Sequence, residues 1–129
     1  MIDPPFNMDA YAPAEMATRV ETVGVAKANL DTATMFALAV LAGAFIALGA
    51  NVATILFTEH GLGYGISRVA GGVVFSLGLM LVIVGGAELL TGNSLIVMAW
   101  ASGRVSTGQL WRNWLIVYAG NFTGALATA

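Results

Sequence analysis

Apolar residues fall in three long blocks along this chain, and the middle block is interrupted. Met35 to Phe57 runs without a charge. At ~1.5 Å rise per residue it covers the ~30 Å hydrocarbon core of a bilayer, which predicts a first transmembrane helix. Asn51 is its one strongly polar side chain and is expected to bond across to a neighbouring helix. Thr58 to Ser67 reads as a short polar loop holding Glu59, His60 and three glycines. The second block starts near Arg68, is mostly apolar from Val69 to Val84, and resumes from Leu95 to Ala101. Between its halves lies Gly85-Gly-Ala-Glu-Leu-Leu-Thr-Gly-Asn93. As helix, Val69 to Val84 covers only about 24 Å at ~1.5 Å per residue. Neither half crosses a bilayer alone, whereas the two together do, so the pattern predicts a discontinuous transmembrane helix. Leu110 to Ala129 forms the third block, with Gly120 and Gly124 spaced as a small-xxx-small packing face.

The lead before about Asp31 is polar. Pro13 and Glu15 mark a helix start, where a missing N–H and a negative charge are both favourable. Met16, Val20, Val23 and Ala26 recur at helical spacing, with Arg19, Glu21 and Lys27 on other faces. That predicts a short helix on the membrane surface or against the bundle. No basic n-region precedes the first apolar block, so insertion is expected to rely on the first span itself. Trp100, Trp111 and Trp114 surround the Ser102–Gln109 loop, as aromatic residues do at a membrane interface. Arg19, Lys27, Arg104 and Arg112 lie on one side of the predicted spans and Arg68 alone on the other. The positive-inside rule then puts the amino terminus and the Arg104 loop in the cytoplasm. Residues 1–33 read as a cytoplasmic lead with its surface helix, and 34–129 as membrane domain. Ala129 falls inside the third span without a polar flank, so the chain reads as the front part of a longer protein.

Composition narrows the function classes. Apolar types make up 58% of the chain and charged residues 9%, against a usual charged share of roughly 25%. A net charge of −2 with no basic patch argues against a nucleic-acid partner. Without cysteine, and with His60 the single histidine, there is no thiolate or histidine metal set, and no cofactor is expected. Gly61-Leu-Gly63-Tyr-Gly65 lacks both the spacing and the preceding strand of a dinucleotide fingerprint. No nucleophile–base pair is present, so the chain is not read as an enzyme.

The break carries the candidate chemistry. Backbone freed from helical bonding at membrane depth survives only when buried in protein or lining an aqueous path, and broken helices build the sites of many transporters. Gly85 and Gly86 permit unusual backbone angles or close approach. Thr91 or Asn93 can cap a short helix starting near Ser94, whose amino-terminal end favours an anion. A charge mid-membrane costs ~2.5–3.5 kcal/mol on insertion scales, so Glu88 must be paired, hydrogen-bonded or protonated. Glu88 is open to two roles: a structural carboxylate tying the loop to helix ends or a basic residue, or direct proton transfer or ion coordination. Thr91 divides between cap and pore hydroxyl. Phe75 and Leu79 share a helix face, which on sequence alone reads as ordinary bundle packing. The residues by themselves reach half of a channel or transporter with a loop site.

Gly86-Ala-Glu-Leu-Leu-Thr-Gly-Asn93 resembles the signature loop of the formate/nitrite transporter family, with Leu90 where the usual form has Phe. Gly71-Gly-Val-Val-Phe75-Ser-Leu-Gly-Leu79 upstream is similar to that family too. So are Ala101-Ser-Gly-Arg104, Gly108-Gln109-Leu110 and Asn113-Trp114 downstream. The resemblance implies an all-α, aquaporin-like bundle of six spans in two inverted halves, assembled as a homopentamer in the cell inner membrane with one pore per protomer. This chain would supply the first inverted repeat, its broken second helix forming an Ω-shaped loop. Thr91 would bond to a central histidine from the second half, which would also hold a partner lysine. Phe75, Leu79, Leu89 and Leu90 would form apolar constrictions, and Leu for Phe at position 90 would reshape one of them. Glu88 and Asn93 complete the loop set. The implied function is passage of a small monovalent anion, formate or nitrite, linked to proton transfer. The alternatives are another weak acid, such as hydrosulfide, acetate or lactate, or a membrane fragment that transports nothing.

Overall fold

The computed structural model describes residues 11–58, 61 and 63–129. Among them there are helices and no strands: α1 Pro13–Ala28, α2 Thr32–Thr58, α3 Tyr64–Val84, α4 Leu90–Asn93, α5 Ile96–Ala101 and α6 Thr107–Thr128. The expectation for His60 as a loop residue lies outside the described residues.

α2 is the axis of the molecule, packed along α6 on one side and α3 on the other. Its buried positions are mostly small: Ala39, Ala42, Gly43, Ala47, Gly49 and Ala53, joined by Met35. The large apolar side chains point outward, including Leu48, Val52 and Ile55 on α2, Val69, Val73 and Ile83 on α3, and Leu115, Phe122 and Leu126 on α6. A water-soluble monomer rarely exposes contiguous apolar surface on this scale. Small residues inside and large ones outside is how helices associate in lipid, where close backbone approach replaces the hydrophobic drive. The Gly120/Gly124 face does meet α2: a Cβ on Gly124 would collide with the Val40 carbonyl, and one on Gly43 with the backbone of Asn121. α2 and α3 are both long and apolar enough to cross a membrane. α6 has 22 residues but carries Arg112, Asn113 and Asn121, and is less apolar than those two. Asn51 bonds across to α6 as expected, its Nδ2 donating to the Thr128 carbonyl at 3.1 Å.

Element ends differ from the sequence reading for local reasons. α3 starts at Tyr64, ahead of Arg68, because Gly63 turns the chain with φ +72° and its carbonyl accepts from both the amide and the hydroxyl of Ser67. α6 starts at Thr107 because Ser106 and Gln109 form a reciprocal capping box: the Ser106 amide donates to Gln109 Oε1 at 2.9 Å while Ser106 Oγ accepts from the Gln109 amide at 3.2 Å. α1 begins at Pro13 as expected, but its buried face is Gly24 and Ala28, packed on Ile96 and Ala99 of α5. Met16 and Val23 remain about half exposed. The apolar stripe is not the buried one, because the close crossing with α5 selects small residues rather than apolar ones.

Asp31 caps α2, its Oδ2 accepting from the Thr34 amide at 2.9 Å. That backbone hydrogen bond is the main reason its carboxyl is held below the ordinary 3.8. A carboxyl depressed in the fold adds stability above its unfolded pKa, and the gain is lost as pH falls through the lower, folded value. A carbon-13 titration of the Asp31 carboxyl should therefore give a midpoint under 3.8. Asp31→Ala should speed amide exchange at Thr34 at neutral pH. A midpoint above 3.8 would remove the cap from the account.

Candidate functional site: the break between α3 and α5

The irregular backbone is shorter than its sequence suggested, running from Gly85 to Leu89 before a helical turn forms at Leu90–Asn93. Several of its donors and acceptors are met within the protein. α3 ends in a Schellman arrangement: Gly86, at φ +60°, donates to the Ile83 carbonyl and Ala87 to that of Val82. The Glu88 amide reaches the Leu38 carbonyl of α2 at 3.2 Å. Asn121, on α6, then clamps the far side. Its Nδ2 donates to the carbonyls of Glu88 and Ala39, both at 2.8 Å, and its Oδ1 accepts from the Leu90 amide at 2.9 Å. That last bond caps α4 from another helix. Neither Thr91 nor Asn93 caps the following helix, which begins at Ile96 with no side-chain cap; the side-chain cap in this region is that of Asn121 on α4.

Glu88 sits at the centre of a polar ring. Its side chain is 4% exposed and ion-paired to Lys27 of α1, with Nζ 2.6 Å from Oε1. Its second oxygen accepts from Asn93 Nδ2 at 2.6 Å. The same Asn93 nitrogen donates to Asn113 Oδ1 at 2.9 Å, and Asn113 Nδ2 donates to the Lys27 carbonyl at 3.1 Å. Asn93 and Asn113 are fully buried. Trp114 Nε1 donates to the Asn93 carbonyl at 3.0 Å, adding a third anchor from α6. Arg112 ties α6 to the α1–α2 junction through the Leu30 carbonyl and Thr32 Oγ1. The sequence requirement that Glu88 be paired is thus met by a lysine 61 positions away.

Beside the ring lies an open cavity of about 610 Å³, walled by Leu79, Val82, Ile83, Ala87 and Leu89 and edged by Lys27, Glu88, Thr91 and Asn93. Its wall is mainly apolar with one cation and a few polar groups, a lining suited to a small solute rather than to a metal. No group of acidic and histidine side chains that could hold a metal occurs among the described residues. The formate/nitrite transporter pattern matches the chain over residues 14–129. The chain belongs to that family. It is 46% identical to the formate channel FocA of Escherichia coli K12 over 125 residues, 96% of this chain and 43% of that one. Against FocA of Haemophilus influenzae the identity is 39% over 121 residues (93% and 43%), and against the uncharacterized transporter YrhG of Bacillus subtilis 38% over 119 (91% and 45%). The chain therefore spans under half the length of these relatives.

Within this formate/nitrite transporter segment, the expected site residues divide. Leu79, Glu88, Leu89, Thr91 and Asn93 all border the cavity. Phe75 lies one turn from Leu79 on an exposed stretch of α3, off the cavity wall. Leu90 turns the other way, against the buried cluster of Met35, Ala39 and Val117. Asn113 and Asn121 escaped the reading as site residues. The available signal was two amides eight positions apart flanking the apolar stretch Trp114 to Gly120, each of which demands a partner where it is buried.

Proposed function

We propose that the chain forms the first half of a channel for small monovalent anions, formate or nitrite, in the bacterial inner membrane. The observation that carries this reading is a membrane-helix break whose one carboxylate is neutralised while a lysine ammonium stays at the edge of an apolar cavity. A free carboxylate there would repel an anion. Paired with Lys27 and hydrogen-bonded by Asn93, Glu88 instead leaves the wall close to neutral with its cation in front. A small monoanion is drawn toward Lys27 and meets an apolar wall that it cannot readily cross while charged. Taking up a proton lets it cross as the neutral acid. The family relationship supports a second, inverted half that supplies a central histidine against Thr91, an aquaporin-like arrangement of six spans, and assembly as a pentamer. The distribution of Lys and Arg supports a cytoplasmic amino terminus.

Counterflow into proteoliposomes tests this directly, using the complete gene product and a panel of formate, nitrite, acetate, lactate and hydrosulfide. Formate or nitrite flux that rises with an inward proton gradient is the expected result. Flux of neither formate nor nitrite would refute that substrate class, flux of no member of the panel would refute the channel, and flux indifferent to the gradient would refute the proton link. Thr91→Val gives a sharper test. The Thr91 hydroxyl is exposed and has no partner among the described residues, so its loss should leave assembly intact. Flux should fall roughly fivefold, the factor carried by one net hydrogen bond of ~1 kcal/mol. Wild-type flux in that variant would remove Thr91 from the pore.

A further inference from the structure

The ring around Glu88 begins and ends on one residue. Lys27 donates from its ammonium to Glu88, and its backbone carbonyl accepts from Asn113. This closure gives the ring a fixed direction. A carbonyl can only accept, so Asn113 must present its amide nitrogen to Lys27 and its oxygen to Asn93. Asn93 then spends both amide hydrogens, one on Asn113 Oδ1 and one on Glu88 Oε2. Reversing the Asn93 amide would set its oxygen against two acceptors. The cost of the observed orientation is visible, because Asn93 Oδ1 is buried without a partner. A buried unmet acceptor costs about 1–3 kcal/mol, so the bonds on the nitrogen side outweigh it. With Oε2 held by Asn93, Glu88 presents Oε1 to Lys27.

We propose that Asn113 is a positioning residue for anion entry: acting through Asn93 and Glu88, it fixes where the Lys27 ammonium stands at the cavity edge. Asn113 touches neither the cavity nor the ammonium. It lies 86 positions from Lys27 in sequence, yet sets both ends of that residue, its carbonyl directly and its Nζ through two side chains. Nearby charge does not offer Lys27 another anchor. Glu21, on the same helix, is paired with Arg104, and Arg19 stacks on Tyr11. Facing elements contribute Glu88 from the break and Arg112 from α6, the latter engaged on carbonyls of the α1–α2 junction.

The inference rests on the anion-channel reading, and the test keeps the two apart. Formate flux against formate concentration is measured in proteoliposomes for wild type, Asn113→Leu, Asn113→Ser, Lys27→Gln and the Lys27→Gln/Asn113→Leu pair. Absence of wild-type flux would count against the channel itself. Given wild-type flux, the half-saturating formate concentration should rise roughly tenfold in Asn113→Leu, the low end of what a charged cleft contributes to capture. Maximal flux should change far less. Lys27→Gln, which also leaves Glu88 without its counter-ion, should shift at least as far, and adding Asn113→Leu to it should shift no further, since the ammonium that Asn113 positions is already gone. The inference is overturned by wild-type half-saturation in the Asn113 variants, by shifts that add in the pair, or by failure of both Asn113 variants to fold, which would make Asn113 a residue of the fold alone.

Discussion

Glu88→Gln is expected to lower stability by about 2–3 kcal/mol and to cut anion flux at least tenfold, although the substitution changes almost no volume. The reason is the pattern of donors around the side chain. Both carboxylate oxygens accept, one from Lys27 Nζ and one from Asn93 Nδ2, each at 2.6 Å. An amide has one accepting end, so its nitrogen must face a donor whichever way it turns. Breaking one side of a fully buried ion pair costs about 3–5 kcal/mol; the lower figure here reflects Lys27, whose side chain keeps 27% of its exposure. Lys27→Met added to Glu88→Gln removes the opposing donor and should restore most of the stability, since replacing both partners is often nearly neutral. Flux should stay low in the double variant, because the cation that faces the cavity is gone. Thermal unfolding followed by fluorescence-detected gel filtration, run beside liposome flux, separates the two effects. A Glu88→Gln protein as stable and as active as wild type would reduce the ring to a loose surface pair.

The sequence made the need for a partner legible but not its identity. Insertion cost requires that Glu88 be satisfied, and that argument uses one residue and its depth. Which basic side chain answers depends on how α1 crosses α5, where Gly24 lies against Ala99 and the backbone of Ile96. A scan for apolar periodicity passes over such a contact, because it looks for large side chains and finds Met16 and Val23. The break shows the same limit. Its glycines are local and were readable as points of unusual backbone, and the turn that ends α3 falls at Gly86. Its restart at Leu90 depends on a capping oxygen from Asn121, 31 positions away. Local capping rules pointed to Thr91 and Asn93, and both are used otherwise, Thr91 at the cavity edge and Asn93 inside the ring. The direction of Leu90 also escaped local reading, because it follows from the same clamp, which turns that residue toward Val117.

Gly124→Leu is expected to separate α2 from α6 and to abolish both folded yield and flux. Gly124→Ala is the graded version. Even one methyl there meets the Val40 carbonyl, and the neighbouring backbone of Ala44 stands 3.0 Å away. Backbone cannot rotate aside as a side chain can, so the helices must move apart, at about 1–3 kcal/mol for overpacking of this kind. Gly108→Ala is the matched control. Its new methyl would approach only Ser106 Oγ, at 4.0 Å, so helix propensity decides and stability should rise by up to about 1 kcal/mol. Two glycine-to-alanine changes in one helix should thus have opposite signs. The effect at Gly124 should also reach the break, because Asn121 sits one turn earlier and its amide bonds Glu88, Ala39 and Leu90 simultaneously. Moving α6 by a fraction of an ångström stretches all three bonds and leaves the irregular backbone unsatisfied where no water can replace them. Flux in Gly124→Ala should therefore fall by more than the folded fraction does, measured per mole of folded protein. Flux that tracks folded fraction alone would mean that the α2–α6 contact holds the helices together without setting the geometry of the break.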